Sequence, residues 1–275
     1  MTLGSEGFAE VPGGSLWYED RGEGPAVLLI HAGIADARMW ERQMTSFSPE
    51  FRAIRYDDRA FGRSAVPTTP FSPIEDVVAL LDALGIDRAA LVGNSFGGEI
   101  ATEAALAHPD RVWALVVVTP ALLGFEGKGH PTPEAAGAAR EAGNVARSVD
   151  LELEVWAPLR TDPAVDELIR RMAHENSGVD DLPDDLFVEP ERFAAEHLED
   201  LAVPTLVVVG DTNPPDFDAI ADEIAKRVQG ARTARIADAD HLVSLRRPEA
   251  FDEVVLEFLR NAGKNEAAAT RSGRA

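Results

Sequence analysis

The six residues Gly93-Asn94-Ser95-Phe96-Gly97-Gly98 constrain this chain more than any other stretch. They carry the spacing G-x-S-x-G between an apolar run at 89–92 (Ala-Ala-Leu-Val) and a helical pattern over 99–107. A turn leading from a buried strand directly into a helix leaves no room for side chains beside it, which is why glycines flank it. The serine is forced outward, with its hydroxyl presented at the edge of a sheet. Behind it, the unpaired N–H groups and positive end of the following helix favour negative charge near that hydroxyl. A strand-to-helix turn that happens to contain serine would show the same letters, but the strand–turn–helix context favours a nucleophile.

The rest of the chain alternates short apolar runs with helical patterns. Residues 8–11 and 15–19 suggest an opening hairpin around Pro12-Gly13-Gly14. Ala26-Val27-Leu28-Leu29-Ile30 is a continuous apolar run, expected of a strand covered on both faces. Further strands are expected at 52–56, 112–118, 205–209 and, more weakly, 233–236. Ser72-Pro73-Ile74-Glu75 is a capping box with proline at the first helical position, opening a helix that should stop near Gly85. Phe251, Val254, Val255, Phe258 and Leu259 fall at helical spacing and describe a closing amphipathic helix. Such alternation predicts an α/β fold with a mostly parallel sheet and helices on both faces.

Residues 121–200 break the pattern. They are rich in alanine, acids and proline, and their helical stretches include 165–173. They read as a helical insertion at the carboxyl edge of the sheet, where ligands bind in open α/β folds. A lid is the functional reading of this insertion and a decorative excursion the plain one; its place near Ser95 favours the lid. Phe125, Leu151, Leu153, Val155, Trp156, Leu159 and Phe187 either line an apolar pocket or pack the insertion on the sheet. The expected organisation is a core over 1–120, a lid over 121–200, a second core segment over 201–263 and a disordered polar tail over 264–275.

Composition narrows the function. The chain of 275 residues has 26 Lys and Arg against 48 Asp and Glu, a formal charge of −22. That surface repels nucleic acid and anionic membrane, so neither is an expected partner. There is no cysteine, which excludes disulfides and thiolate metal sites and fits a cytoplasmic protein. No signal peptide is apparent, and the apolar runs are too short to span a membrane.

A serine nucleophile needs a base. Of the six histidines, His31, His108, His130, His174, His197 and His241, the best candidate is His241, on a loop between the last strand and the closing helix. His31 follows a buried strand and looks structural, and His108 caps a helix. Four segments then share a resemblance: His31-Ala32-Gly33-Ile34 after the third strand, Asp58-Arg59-Ala60-Phe61-Gly62-Arg63-Ser64 with alanine for one glycine, the serine turn, and His241 with Arg247-Pro248-Glu249-Ala250-Phe251. Together, over about 8–120 and 200–260, they resemble the α/β-hydrolase superfamily, and most its small cofactor-free esterases and enol-lactonases. The resemblance implies an eight-stranded α/β-hydrolase sheet and acyl transfer from a small ester or lactone through Ser95. His241 would be the base, and the backbone N–H groups of Phe96 and of Gly33, with Ile34 second, would form the oxyanion hole. It implies no metal and no organic cofactor.

One departure stands out. The family's acid sits as Gly-x-x-Asp past the seventh strand, and here that segment is Gly210-Asp211-Thr212-Asn213, so the slot holds Asn213. An amide can orient an imidazole but cannot stabilise an imidazolium by charge. Three readings follow: Asp211, ahead of Asp216, has taken the role; Asn213 serves a weak or specialised catalyst; or Asn213 inactivates an ordinary enzyme. Asp238 and Asp240 read as solvated loop charges. A serine nucleophile disfavours the haloalkane and epoxide branches of the superfamily. A carbon–carbon bond hydrolase and a non-hydrolytic ligand-binding member remain as alternatives, with a haloperoxidase-like activity behind them.

Overall fold

A computed structural model describes residues 4–127 and 133–272, with side chains as far as Lys264. One eight-stranded sheet organises them, in the order β1-β2-β4-β3-β5-β6-β7-β8. β1 (Ser5–Val11) and β2 (Gly14–Arg21) form the opening antiparallel hairpin, and β2 pairs antiparallel with β4 (Arg52–Tyr56). The other pairings are parallel: β3 (Ala26–Ile30) with β4 and with β5 (Ala89–Asn94), then β6 (Val112–Val118), β7 (Thr205–Gly210) and β8 (Arg232–Ile236).

Because side chains alternate along a strand, each central strand feeds two cores. Val27, Leu29, Val92, Val116 and Leu206 enter one cluster with Met44 and Phe47 of α1 (Glu41–Phe47) and Phe251, Val255 and Leu259 of α9 (Pro248–Ser272). Leu28, Ile30, Leu91, Leu115 and Val207 enter the other. There they meet α2 (Pro73–Ala83), α3 (Phe96–Ala107) and, toward the far edge, the helix at Pro215–Arg227. The start of α2 follows its sequence signal: Ser72 Oγ accepts the Glu75 N–H at 3.4 Å and Pro73 sits at the first helical position.

Between β6 and β7 the chain forms α4 (Glu134–Glu141), α5 (Val145–Trp156), α6 (Pro163–Glu175) and several single-turn 3-10 helices. α7 (Pro215–Arg227) then precedes β8, and the short α8 (Val243–Arg246) precedes α9. The insertion is bolted to the core by Asn176. Its Oδ1 accepts the Gly62 N–H at 2.8 Å and its Nδ2 donates to Asp36 at 2.9 Å.

α9 reaches Ser272, so the polar stretch expected to be disordered is helical for most of its length. Its Glu-Ala-Ala-Ala-Thr-Arg sequence is rich in residues of high intrinsic helix propensity, and a helix already nucleated by the packed residues before it propagates at little cost.

Candidate active site

At the end of β5, Ser95 has φ 54° and ψ −115°, a conformation that costs a non-glycine residue about 1–3 kcal/mol. Bonds on both sides hold it there. Its N–H donates to Val118 O of the neighbouring strand at 2.9 Å, and its carbonyl accepts from Gly98 and Glu99 at 2.8 and 3.0 Å. A Cβ on Gly93 would strike the Gly97 carbonyl, and one on Gly97 would strike the carbonyls of Ile30 and His31. Strand and helix can approach this closely only with glycine at both places.

His241 lies on the loop between β8 and α8, and the sheet fixes its backbone. Its carbonyl accepts the Thr119 hydroxyl at 2.9 Å and the Asn94 side-chain amide at 3.2 Å. Asn94 immediately precedes the serine, and Thr119 follows β6 with φ 40°. The histidine's main chain is therefore attached to the strand end that carries Ser95. The ring packs against Phe217 of α7 and Trp156 of α5, with centroids 4.6 and 5.0 Å away. Ser95 and His241 share the wall of a cavity of about 620 Å³, together with Gly33, Ile34, Phe96 and Trp156.

Gly33 and Ile34 lie on the loop after β3. A Cβ on Gly33 would sit 3.6 Å from Phe96 Cβ, so this loop packs directly on the start of α3. The N–H of Phe96, at the first position of α3, has no intrahelical acceptor. Buried polar groups brace the same loop from below. The fully buried His31 shares a hydrogen bond between Nδ1 and Ala32 O at 2.9 Å, and its Nε2 accepts the Asp58 N–H at 3.0 Å. Asp57 accepts from Ala37 and Arg63 N–H at 2.8 and 2.9 Å, and Arg59 pairs with Asp76 at 2.6 Å. Ala60, where the resembled pattern has glycine, is left-handed with φ 69°.

The loop after β7 runs alongside the histidine loop. Asp211 N–H donates to Ile236 O at 3.2 Å and Thr212 N–H to Ala239 O at 3.0 Å. Gly210 is required here, since a Cβ would strike Ala239 O. Asp211 is the residue expected to have taken the acid's role. It is exposed, and its Oδ1 accepts the Ala239 N–H at 3.2 Å. The Asp238 N–H, followed by that of Ala239, holds its carboxyl below the usual range. Asp211 thus caps the turn that leads to the histidine. Asp216, the other candidate, lies in the first turn of α7 against Gly127. Asn213, in the family slot, is half-buried; its Nδ2 donates to Gly210 O at 3.2 Å, while Oδ1 is buried and unpaired.

Asp240 is not a solvated loop charge. It is fully buried, and its Oδ2 accepts from Arg246 Nε at 3.0 Å and from Leu159 N–H of the insertion at 3.3 Å. Arg246 in turn reaches Asp166 of α6 at 2.5 Å. Asp238, by contrast, is exposed and pairs with Arg247 at 2.8 Å. The other histidines are placed elsewhere: His108 caps α3 and bonds Glu75 at 2.8 Å, His174 bonds Asp150 at 2.9 Å, and His197 lies 3.5 Å from Asp200. His130 lies outside the described residues. Of the apolar residues read as pocket or packing, Trp156 and Phe187 line the cavity, whereas Leu151 and Leu153 are buried. Thr119 and Phe217 carry no motif signal and Asn94 is a variable position of the serine motif, since each acts on His241 only through the tertiary fold.

Among the described residues no cluster of His, Asp or Glu could hold a metal ion, and no helix is long and apolar enough to cross a membrane.

A strained serine at a strand-to-helix turn, sharing a cavity with a loop histidine on this sheet order, defines a class. The model of the alpha/beta hydrolase family matches residues 27–254, and the chain belongs to that family. It is 26% identical over 244 residues to 3-oxoadipate enol-lactonase 1 of Acinetobacter baylyi, covering 86% of this chain and 89% of that protein. The enol-lactonase structure from Burkholderia xenovorans superposes with a TM-score of 0.74 at 28% identity, over 92% of this chain and all of that one. An epoxide hydrolase of Caballeronia sordidicola is 42% identical over 107 residues, but that match spans only 37% of this chain and 32% of the relative.

Proposed function

We propose that this protein is a serine hydrolase that cleaves a small carboxylic ester or lactone through an acyl-enzyme on Ser95. The observation that carries the reading is that the strained Ser95 and His241, whose carbonyl is bonded to Asn94 and Thr119, line one cavity. In the first step Ser95 Oγ attacks the carbonyl carbon while the His241 ring accepts its proton. The tetrahedral oxyanion is held by the N–H groups of Phe96 and of Gly33 or Ile34; one such donor is worth about 3 kcal/mol of barrier. The imidazolium returns the proton to the leaving alkoxide. Water, deprotonated by the same ring, then cleaves the acyl-enzyme and frees Ser95. The similarity to enol-lactonases supports the substrate class, and the helices of the insertion act as the lid over the cavity.

Ser95→Ala is expected to abolish labelling by a fluorophosphonate probe together with all ester turnover. Undiminished labelling of that variant would place the nucleophile elsewhere and overturn the reading.

A further inference from the structure

α5 presents Ser148, Glu152 and Trp156 to the cavity. These positions are four residues apart, so they stack along one face of the helix. Trp156 bridges the two ends of the site, for its ring lies against the His241 imidazole at 5.0 Å while Glu152 sits one turn back. Glu152 is half-buried, and its Oε1 accepts the Ser148 hydroxyl at 3.1 Å. The cavity's apolar lining includes Ile34, Phe61 and Phe96.

The charges on this wall are not balanced. Arg140 is the one arginine or lysine among the described lining residues. Its guanidinium is already committed, to Asp180 at 2.7 Å and Asp181 at 2.9 Å. Among the described residues neither Glu152 nor Asp184 forms a salt bridge, and the one basic charge acting on Glu152 is that of Arg140, which is held by Asp180 and Asp181. Burial pushes the Glu152 carboxyl above the usual range and the negative charge of Asp180 adds to this, while the Ser148 hydroxyl and the Arg140 charge offset only part of it. A ligand bringing a positive charge would relieve both penalties, whereas a carboxylate would aggravate them.

We propose that Glu152, with the Trp156 ring beside it, selects substrates whose non-reacting end is a cationic ammonium group and rejects those ending in a carboxylate. The ammonium group would meet the carboxylate on one side and an aromatic face on the other, the pairing that recognises quaternary amines. This rests on the hydrolase reading for the word substrate, but the recognition itself can be measured without turnover.

Choline and its neutral isostere 3,3-dimethylbutan-1-ol are titrated calorimetrically into the full-length protein at about 0.5 M NaCl, which screens the overall negative surface beyond a few ångströms. Choline should bind about tenfold tighter than the isostere, the order expected for one opposite charge in a partly hydrated cleft. Glu152→Gln, which keeps an acceptor for Ser148, should bring the two affinities together, and Glu152→Lys should reverse their order. Equal binding of both ligands by the wild type would overturn the proposal, as would an unchanged preference in a folded Glu152→Gln variant. Matched 4-nitrophenyl esters with ammonium, tert-butyl and carboxylate tails provide the kinetic arm, in which kcat/KM should fall in that order. If no ester is cleaved yet choline binds through Glu152, the hydrolase reading fails and the cation site stands. If esters are cleaved without regard to tail charge, the site fails and the hydrolase reading stands.

Discussion

At the scale of single residues, Ser95 and Asn213 make an instructive pair. Ser95 was legible because its role imposes local constraints: tight turns need glycine, and Gly93 and Gly97 are forced by backbone contacts that no side chain can accommodate. Asn213 was legible as a departure, but its consequence was not. Which group faces an imidazole depends on how two loops meet, and Asp211, the nearest acid by sequence, turns outward to cap backbone N–H groups. Asn213, in the family's acid position by sequence, instead keeps a buried amide oxygen with no partner among the described residues. We therefore expect Asn213→Asp to raise kcat on an activated ester at least about tenfold, a fraction of the roughly four orders of magnitude separating acid from amide in a serine protease triad. A rate equal to or below wild type would show that another group already serves His241. Thr119 and Glu152 had no signature at all, because a threonine after a strand and a glutamate on a helix are unremarkable until the fold places them.

At the scale of elements, the central strands were easy to read. β3 and β6 coincide with their apolar runs because burial on both faces leaves little other choice of residue. β8 was weaker to the eye, since four of its five side chains are exposed or half-buried at the sheet edge. α4 and α5 were not resolved as separate helices, because alanine and charge sustain helical propensity without marking a break. The strut between the histidine loop and the insertion was misread altogether. Asp240 looked like a solvated charge beside other acids, but Arg246, six residues on, buries with it and extends to Asp166 in α6. Removing one member of a buried ion pair leaves the other unpaired, at a cost of about 3–5 kcal/mol. Asp240→Asn is predicted to lose stability of that order in urea denaturation, whereas a loss below about 1 kcal/mol would mean that the strut is solvated.

At the scale of the whole molecule, acidity is the dominant property. With a formal charge of −22, the fold also places acids where water is scarce. Burial pushes the carboxyls of Glu99 and Glu103 on α3 up to about 7, with neighbouring carboxylates adding to the shift at Glu99. A carboxyl whose pKa is higher folded than unfolded favours the folded state when protonated. Its contribution is intact below the unfolded value of about 4.3 and is lost as pH rises toward 7. Glu103→Gln keeps an oxygen for the Ala194 N–H that Glu103 binds at 2.7 Å, but removes the titration. Relative to wild type, its melting temperature should gain about 2–4 °C between pH 5 and pH 8. A gap that does not change over this range would mean that Glu103 titrates normally.

The two residues at the heart of the histidine loop answer to different masters. The carbonyl of His241 is gripped by the sheet through Thr119 and Asn94, while the side chain of Asp240 is bonded to Leu159 of the insertion and to Arg246 of α8, which reaches on to Asp166 of α6. A single peptide link thus joins a residue held by the sheet to one held by the insertion. Under the proposed reading, changes in the insertion would reach the histidine loop through Asp240 and Trp156, whereas the bonds from Thr119 and Asn94 that fix the His241 main chain come from the sheet.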